Sequence, residues 1–236
     1  MTTDEATPTE VARPVARRRR PLWAILVGGA GEILITGGIV ILLFVVYELW
    51  ITGIFTHREQ HKLEVAIHKE WTQPPKPNAP IAGVAILHAE RLGASWKWVV
   101  VEGVAQSDLA KGPGHYPGTA MPGQVGNFVV SGHRTTHGAP FYDVNEFKAG
   151  DAIVVETRDV WYVYKVTGET VVKPSAIEVT YPVPGDKGAV PTQKLITLTT
   201  CNPRYSAKQR LIVHGVLASQ MDKSAGEPAA LVTGRA

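Results

Sequence analysis

Apolar and polar positions change their pattern three times along the chain. From Leu22 to Tyr47 apolar residues are nearly continuous, 26 positions broken by one charge, Glu32. At about 1.5 Å per residue such a helix exceeds the roughly 30 Å hydrocarbon thickness of a bilayer, so residues 21–50 are expected to span a membrane. A cleaved signal peptide has an apolar core of about 7 to 15 residues and a small-residue cleavage site. Tyr47-Glu48-Leu49-Trp50 offers no such site, and the segment reads as a retained anchor. Between Thr56 and Trp71, Leu63, Val65, Ile67 and Trp71 sit among His, Lys and Glu, which predicts a short juxtamembrane helix. Pro74, Pro75, Pro77 and Pro80 follow as a stiff spacer that completes residues 51–79.

Beyond that point the apolar runs are short. They cover Ile81 to His88, Trp96 to Val101, Asn127 to Ser131, Ala152 to Glu156, Trp161 to Val166, Lys194 to Thr200 and Leu211 to Leu217. Val, Ile, Thr and Trp dominate them and Gly and Pro separate them, the signature of strands. A closed or nearly closed antiparallel β-barrel over 80–218 fits, because closure removes exposed strand edges. Helical turns are expected near Ser107 to Ala110 and Pro140 to Phe147. Residues 1–20 and 219–236 lack apolar periodicity and read as disordered tails.

Charge adds orientation and removes one class of partner. The 24 Lys and Arg against 21 Asp and Glu leave +3, too mild for a nucleic-acid footprint. The dense basic run, Arg17 to Arg20, lies just before the apolar segment. The positive-inside rule therefore puts a basic tail in the cytoplasm and everything after about residue 52 outside, in a single-pass protein in contact with membrane lipid. Trp23, Tyr47 and Trp50 suit interface positions, and sliding of the helix would bring Glu32 toward the headgroups. Cys201 is the single cysteine, which excludes a disulfide framework and multi-cysteine metal sites. No carboxylate cluster is dense enough to predict a metal, and no cofactor is expected.

Candidate chemistry collects at strand ends. Alternation over Ile196 to Cys201 puts Ile196, Leu198 and Thr200 on one face and Thr197, Thr199 and Cys201 on the other. Asn202-Pro203-Arg204-Tyr205 then turns the chain, leaving the thiol at a strand end. Taken alone, this segment leaves a nucleophile and a structural thiol equally open. Phe128 to Ser131 is a strand running through Gly132 to His133, and Arg210 opens the strand that follows Cys201 after eight residues, a hairpin-length connection. Thiol chemistry needs thiolate, so a base or cation nearby matters. His133 can carry a proton. Arg210 stays protonated and can donate to an oxyanion. Nucleophile, acid/base and anion stabiliser are what acyl transfer through a thioester requires.

The stretch Gly112-Pro113-Gly114-His115-Tyr116-Pro117-Gly118-Thr119, with Pro122-Gly123-Gln124, Gly126-Asn127, Ser131-Gly132-His133-Arg134-Thr135-Thr136, Thr197-Leu198-Thr199-Thr200-Cys201 and Arg210-Leu211-Ile212-Val213, resembles a sortase. It is most similar to the class E group of high-GC Gram-positive bacteria. The resemblance implies an all-β, eight-stranded sortase barrel with short helices behind one N-terminal transmembrane helix. It implies that Cys201 is the nucleophile, His133 the acid/base and Arg210 the carbonyl stabiliser, with Tyr116 and Thr200 as substrate-binding candidates. Secreted proteins bearing a Leu-Ala/Pro-x-Thr-Gly signal would be cut between Thr and Gly and passed to an amine of a peptidoglycan precursor.

His137, four residues past His133, stands where many relatives carry Tyr. His115 and His214 read as structural or rim residues, and Arg204 is the runner-up to Arg210. A papain-like hydrolase places Cys before His, the reverse of this chain, and an L,D-transpeptidase expects His-Gly shortly before its cysteine. Pilus polymerisation and a non-catalytic wall-binding β-domain are the remaining alternatives. Ala230 to Gly234 faintly resembles a sorting signal but lacks the apolar stop segment behind it.

Overall fold

A computed structural model describes residues 22–74 and 81–232. The basic tail, most of the Pro-rich spacer and the last four residues lie outside the described residues. The chain divides into two compact units, 1–44 and 45–236. In the first, helix α1 (Leu22–Val46) is about 37 Å long and exposes apolar side chains such as Leu26, Ile33, Ile41 and Phe44. Among the described residues this is the one region long and apolar enough to cross a membrane.

The second unit opens with a π-helical turn, Tyr47–Ile51, followed by α2 (Thr52–Trp71). This helix starts four residues before the expected Thr56. Thr52, Thr56, Gln60 and Ile67 are buried along it, a spacing that gathers them on one stripe. Ile67 packs with Ile86 and Val99 of the barrel, backed by Leu63 and Trp71.

Eight strands follow: β1 (Ala85–His88), β2 (Lys97–Glu102), β3 (Gly114–His115), β4 (Gly126–Ser131), β5 (Ala152–Glu156), β6 (Val160–Val172), β7 (Lys194–Asn202) and β8 (Gln209–Asp222). They close in the order β1-β2-β3-β4-β7-β8-β6-β5. The barrel is not purely antiparallel as expected: β2 with β3 and β4 with β7 run parallel. The β5–β6 hairpin and the long connection from 173 to 193 separate β4 from β7, so the chain returns to the end from which β4 began. Phe128, Val130, Tyr164, Ile196, Leu198, Leu211 and Val213 fill the interior.

The expected disordered tail from 219 is ordered through Val232. β8 continues to Asp222 because β6 is long enough to pair Val160 with Asp222 and Trp161 with Met221. A short helix, α3 (Ala229–Val232), then sets Ala230 and Leu231 against Val154, Trp161 and Val163. Lys223 donates to Glu156 at 2.6 Å and lies over the Trp71 ring. A few isolated apolar residues do this work, too few to show as a period.

The barrel has a weak seam where β3, only two residues long, pairs with Val101 and Glu102 alone and leaves the rest of that edge of β2 uncovered, while β1 pairs along the other edge. The side chain of Gln60 fills it. Its Oε1 accepts from the Val99 N–H at 2.7 Å, and its Nε2 donates to the carbonyls of Val99 at 3.0 Å and Lys111 at 2.8 Å. One buried amide thus does for β2 what a neighbouring strand would. Replacing it with an apolar side chain strands three backbone groups. Gln60→Leu is expected to destabilise the protein by about 2–3 kcal/mol, read from denaturant unfolding of the full chain in detergent. A change near zero would show that water satisfies the seam instead.

Candidate active site

Parallel pairing of β4 with β7 runs up to Ser131 opposite Thr199. One residue on, the Gly132 N–H still donates to the Thr199 carbonyl at 3.1 Å, and the Thr200 hydroxyl donates to the Gly132 carbonyl at 2.7 Å. β4 ends at Ser131, so His133 follows just past the ladder, at the end of the sheet where β7 carries Cys201. On the other side of β7, Cys201 pairs directly with Arg210 of β8. Phe128, Val130, Ile196, Leu198, Leu211 and Val213 point into the core, so alternation turns Ser131, Thr199, Cys201, Arg210 and Ile212 outward. Cys201 and Arg210 are therefore neighbours on one outer face, and His133 leaves β4 at the same end of the sheet.

Gly132 is required at the exit from β4. A Cβ there would lie 2.7 Å from the Phe141 ring. Without that close approach the His133 backbone could not pass over Phe141 to reach the sulfur's side.

The His133 ring is held at one end only. Its Nδ1 is 3.4 Å from the Thr136 hydroxyl, and its Nε2 is buried with no protein partner. The His137 ring stacks on it at 4.6 Å between centroids. Burial, and then the neighbouring His137, lower its pKa from 6.5 to about 4. Near neutral pH the imidazole is uncharged and can accept a proton. Cys201 is half-exposed, as a thiol that meets a substrate must be. Arg210 donates through Nη1 to the carbonyls of Ala207 at 3.1 Å and Gln209 at 3.0 Å. Those bonds tether the guanidinium to the hairpin turn and leave its Nε and Nη2 for another acceptor.

Arg134 escaped the sequence reading. It is 6 % exposed, and its Nη1 donates to the Cys201 carbonyl at 3.2 Å and to Asn202 Oδ1 at 2.7 Å, while Nη2 donates to Asn145 Oδ1 at 2.9 Å. The guanidinium thus clamps the backbone of Cys201 at the end of β7. Burial, followed by repulsion from Arg204, lowers its pKa from the usual arginine value. No local signal marks it, because it lies past the end of β4 at Ser131, where strand alternation no longer assigns a face. Arg204, the runner-up to Arg210, donates to Asp143 at 2.7 Å and lies over the Tyr142 ring at 4.0 Å, so it supports the loop under Arg134.

Thr200 needs correction as a substrate contact. It is 2 % exposed and its hydroxyl is committed to Gly132, so it fixes the strand end that carries His133. Tyr116 follows β3, with its N–H donating to the Val129 carbonyl at 2.9 Å, and is 36 % exposed. It lies across β4 from β7, two strands over from Cys201. His115 is structural: its Nδ1 pairs with Glu102 at 2.7 Å and its ring stacks on Phe128. His214 joins a buried network in which the Thr197 hydroxyl donates to Asn127 Oδ1 at 2.8 Å and lies 3.1 Å from His214 Nδ1. Asn127 in turn donates to the carbonyls of Val179 and Tyr181, which ties the β6–β7 connection to this face. Among the described residues no group of three His, Cys, Asp or Glu could hold a metal ion.

A family model for the sortase domain matches residues 87–218. Sortase SrtE1 of Streptomyces coelicolor is 39% identical over 94% of this chain, which spans 66% of that protein's length. Sortase SrtE2 of the same organism is 35% identical over 85% of this chain and 86% of its own length. Among solved structures, sortase E of Streptomyces avermitilis superposes with a TM-score of 0.58 at 41% identity, covering 63% of this chain and 96% of its own. Sortase E1 of S. coelicolor, with a tripeptide in its active site, gives 0.59 at 41% identity, with coverages of 63% and 96%.

Two outcomes follow from the geometry. His133 has a folded-state pKa below its unfolded value, so its contribution to stability is full above about pH 6.5 and is lost as pH falls toward about 4. His214, lowered by burial, adds in the same direction. Unfolding at a series of pH values should show stability falling between pH 6.5 and 5, before carboxylates titrate, and a flatter dependence in His133→Gln. An equal slope in that variant would remove His133 as the source. Arg134→Lys cannot reproduce the fork and should cost about 1–3 kcal/mol, measured by denaturant unfolding.

Proposed function

The chain belongs to the sortase family, and on that premise we propose that it is a membrane-anchored cysteine transpeptidase. It would cut a Leu-Ala/Pro-x-Thr-Gly signal on secreted proteins between Thr and Gly. The observation that carries the assignment of roles is the strand pairing that sets Cys201 between Arg210 and the exit toward His133.

In this scheme the Cys201 sulfur attacks the threonyl carbonyl carbon while His133 Nε2 takes the thiol proton. The carbonyl oxygen gains the charge and accepts from Arg210. As the C–N bond breaks, imidazolium returns its proton to the departing glycyl amine, leaving a thioester on Cys201. An amine on a cell-wall precursor then attacks the same carbon, His133 takes its proton, and the sulfur leaves as a new amide forms. Tyr116, two strands over from Cys201, contacts the signal peptide. Helix α1 anchors the enzyme with its N-terminus in the cytoplasm and the barrel outside. The similarity to the class E sortases favours wall anchoring over pilus polymerisation.

The test is to incubate the full chain in detergent with a Leu-Ala-x-Thr-Gly peptide and weigh the intact protein. A hydroxylamine-labile adduct on Cys201, absent from Cys201→Ala, is expected. Arg210→Ala should lower kcat by about 10²–10³ with folding intact. No adduct on folded protein with either an Ala or a Pro signal would overturn the proposal.

A further inference from the structure

The acid/base assignment of His133 leaves a question that the geometry can answer: which of its two nitrogens carries the proton. A neutral imidazole accepts from a thiol only at the nitrogen without hydrogen, and the other nitrogen's partner decides which one that is. In His133 the nitrogen facing away from protein partners is Nε2, and Nδ1 faces the Thr136 hydroxyl at 3.4 Å. That hydroxyl also lies 3.2 Å from Nδ1 of His137. Two imidazoles thus share one hydroxyl, which has one hydrogen to give and can receive another.

Resting on the acid/base role proposed above for His133, we infer that Thr136 and His137 form a directed hydrogen-bond chain, His133 Nδ1–H to Thr136 Oγ1–H to His137 Nδ1, that holds His133 in the tautomer with a bare Nε2, the nitrogen to which the proposed mechanism sends the thiol proton. Run in the opposite direction, the chain would leave an N–H at Nε2, buried and without an acceptor. Orphaned buried donors are rarer in proteins than under-used acceptors. The direction that avoids the orphan is also the one that makes His133 a base. His137 is then a positioning residue that supplies the terminal acceptor, the task a carboxylate performs in other nucleophile–histidine sites.

The rest of the loop is built to keep His137 there. Its ring stacks on His133 with the planes 21° apart. Its φ is +51°, and Ala139 two residues on has +47°, a left-handed backbone that persists in non-glycine residues only where the surroundings impose it. The imposing element is α2. The Thr52 hydroxyl accepts from the His137 N–H at 3.3 Å, and Gly138, at φ +72°, sits so close that an added Cβ would press on Trp98 at 3.0 Å and Thr56 at 3.5 Å. Thr56 itself is locked by donation to the Ala110 carbonyl at 2.9 Å.

The experiment compares Thr136→Val, His137→Phe, their double variant and Thr136→Ser in the full chain in detergent. Phe keeps the stacked ring and Val the shape of Thr, while each removes the chain. Each single variant is expected to lower kcat for a Leu-Ala-x-Thr-Gly peptide by about tenfold or more, with KM changed less than about twofold. The double variant should fall no further than the singles, and Thr136→Ser should restore turnover. The nitrogen-15 signals of the His133 side chain at pH 7 read the tautomer without turnover: Nδ1–H alone in the native protein and in Thr136→Ser, and Nε2–H gained in the two single variants. An unchanged tautomer in folded Thr136→Val overturns the inference, whatever kcat does. So does additive loss in the double variant. Should His137→Phe fail to fold, the Val and Ser replacements of Thr136 still decide. The Cys201 adduct tests the transpeptidase reading separately, because it forms or fails independently of which nitrogen holds the proton.

Discussion

The parallel pairing of β4 with β7 is the constraint on which the site depends. Neither strand carries a complete reaction centre: β4 exits toward an imidazole and β7 ends in a thiol. The ladder that ends at Ser131 and Thr199, extended by the Gly132 and Thr200 bonds, fixes how far each chain runs before it turns. A slip of one residue would send Cys201 into the core and Thr200 outward. The buried hydroxyl of Thr200 therefore bears on chemistry without touching substrate. Antiparallel pairing with β8 places the guanidinium of Arg210 on the third side.

Behind that face the molecule accepts an unusual burden. Arg134 is a buried cation with no carboxylate of its own, satisfied by carbonyl and amide oxygens from Cys201, Asn202 and Asn145. Burying a guanidinium this way is costly unless its donors are filled, and the return is a rigid backbone beneath the nucleophile. Arg204 sits nearby on Asp143 and Tyr142, and both guanidiniums donate to Asn145 Oδ1 and to the Tyr142 carbonyl, so the two like charges hold the same loop side by side.

Much of the site was legible because strands display their residues in alternation and because short connections keep ends together. The period over Ile196 to Cys201 gave the thiol's face correctly, and the eight-residue gap before Arg210 gave the hairpin. Other features had no local trace. The parallel sense of β4 and β7 depends on a long connection whose path no period reveals. Gln60 reads as one more polar residue on an amphipathic helix until β3 proves too short to cover β2. Arg134 reads as a surface charge in a basic motif, since nothing in Gly-His-Arg-Thr says that the next residue turns inward. The ordered segment after Ser219 was missed because its few apolar residues are anchored by Trp161 and by the length of β6, both distant in sequence.

Helix α3 rests on β5 and β6, and in the closed strand order β5 lies three places from β7, the strand that carries Cys201. That end of the described chain thus rests on a different wall of the barrel from the one that carries the sulfur. A fluorescent reporter or an immobilisation handle attached to this wall would leave the Cys201 face clear, so the protein can be displayed on a bead or tracked by light without crowding it.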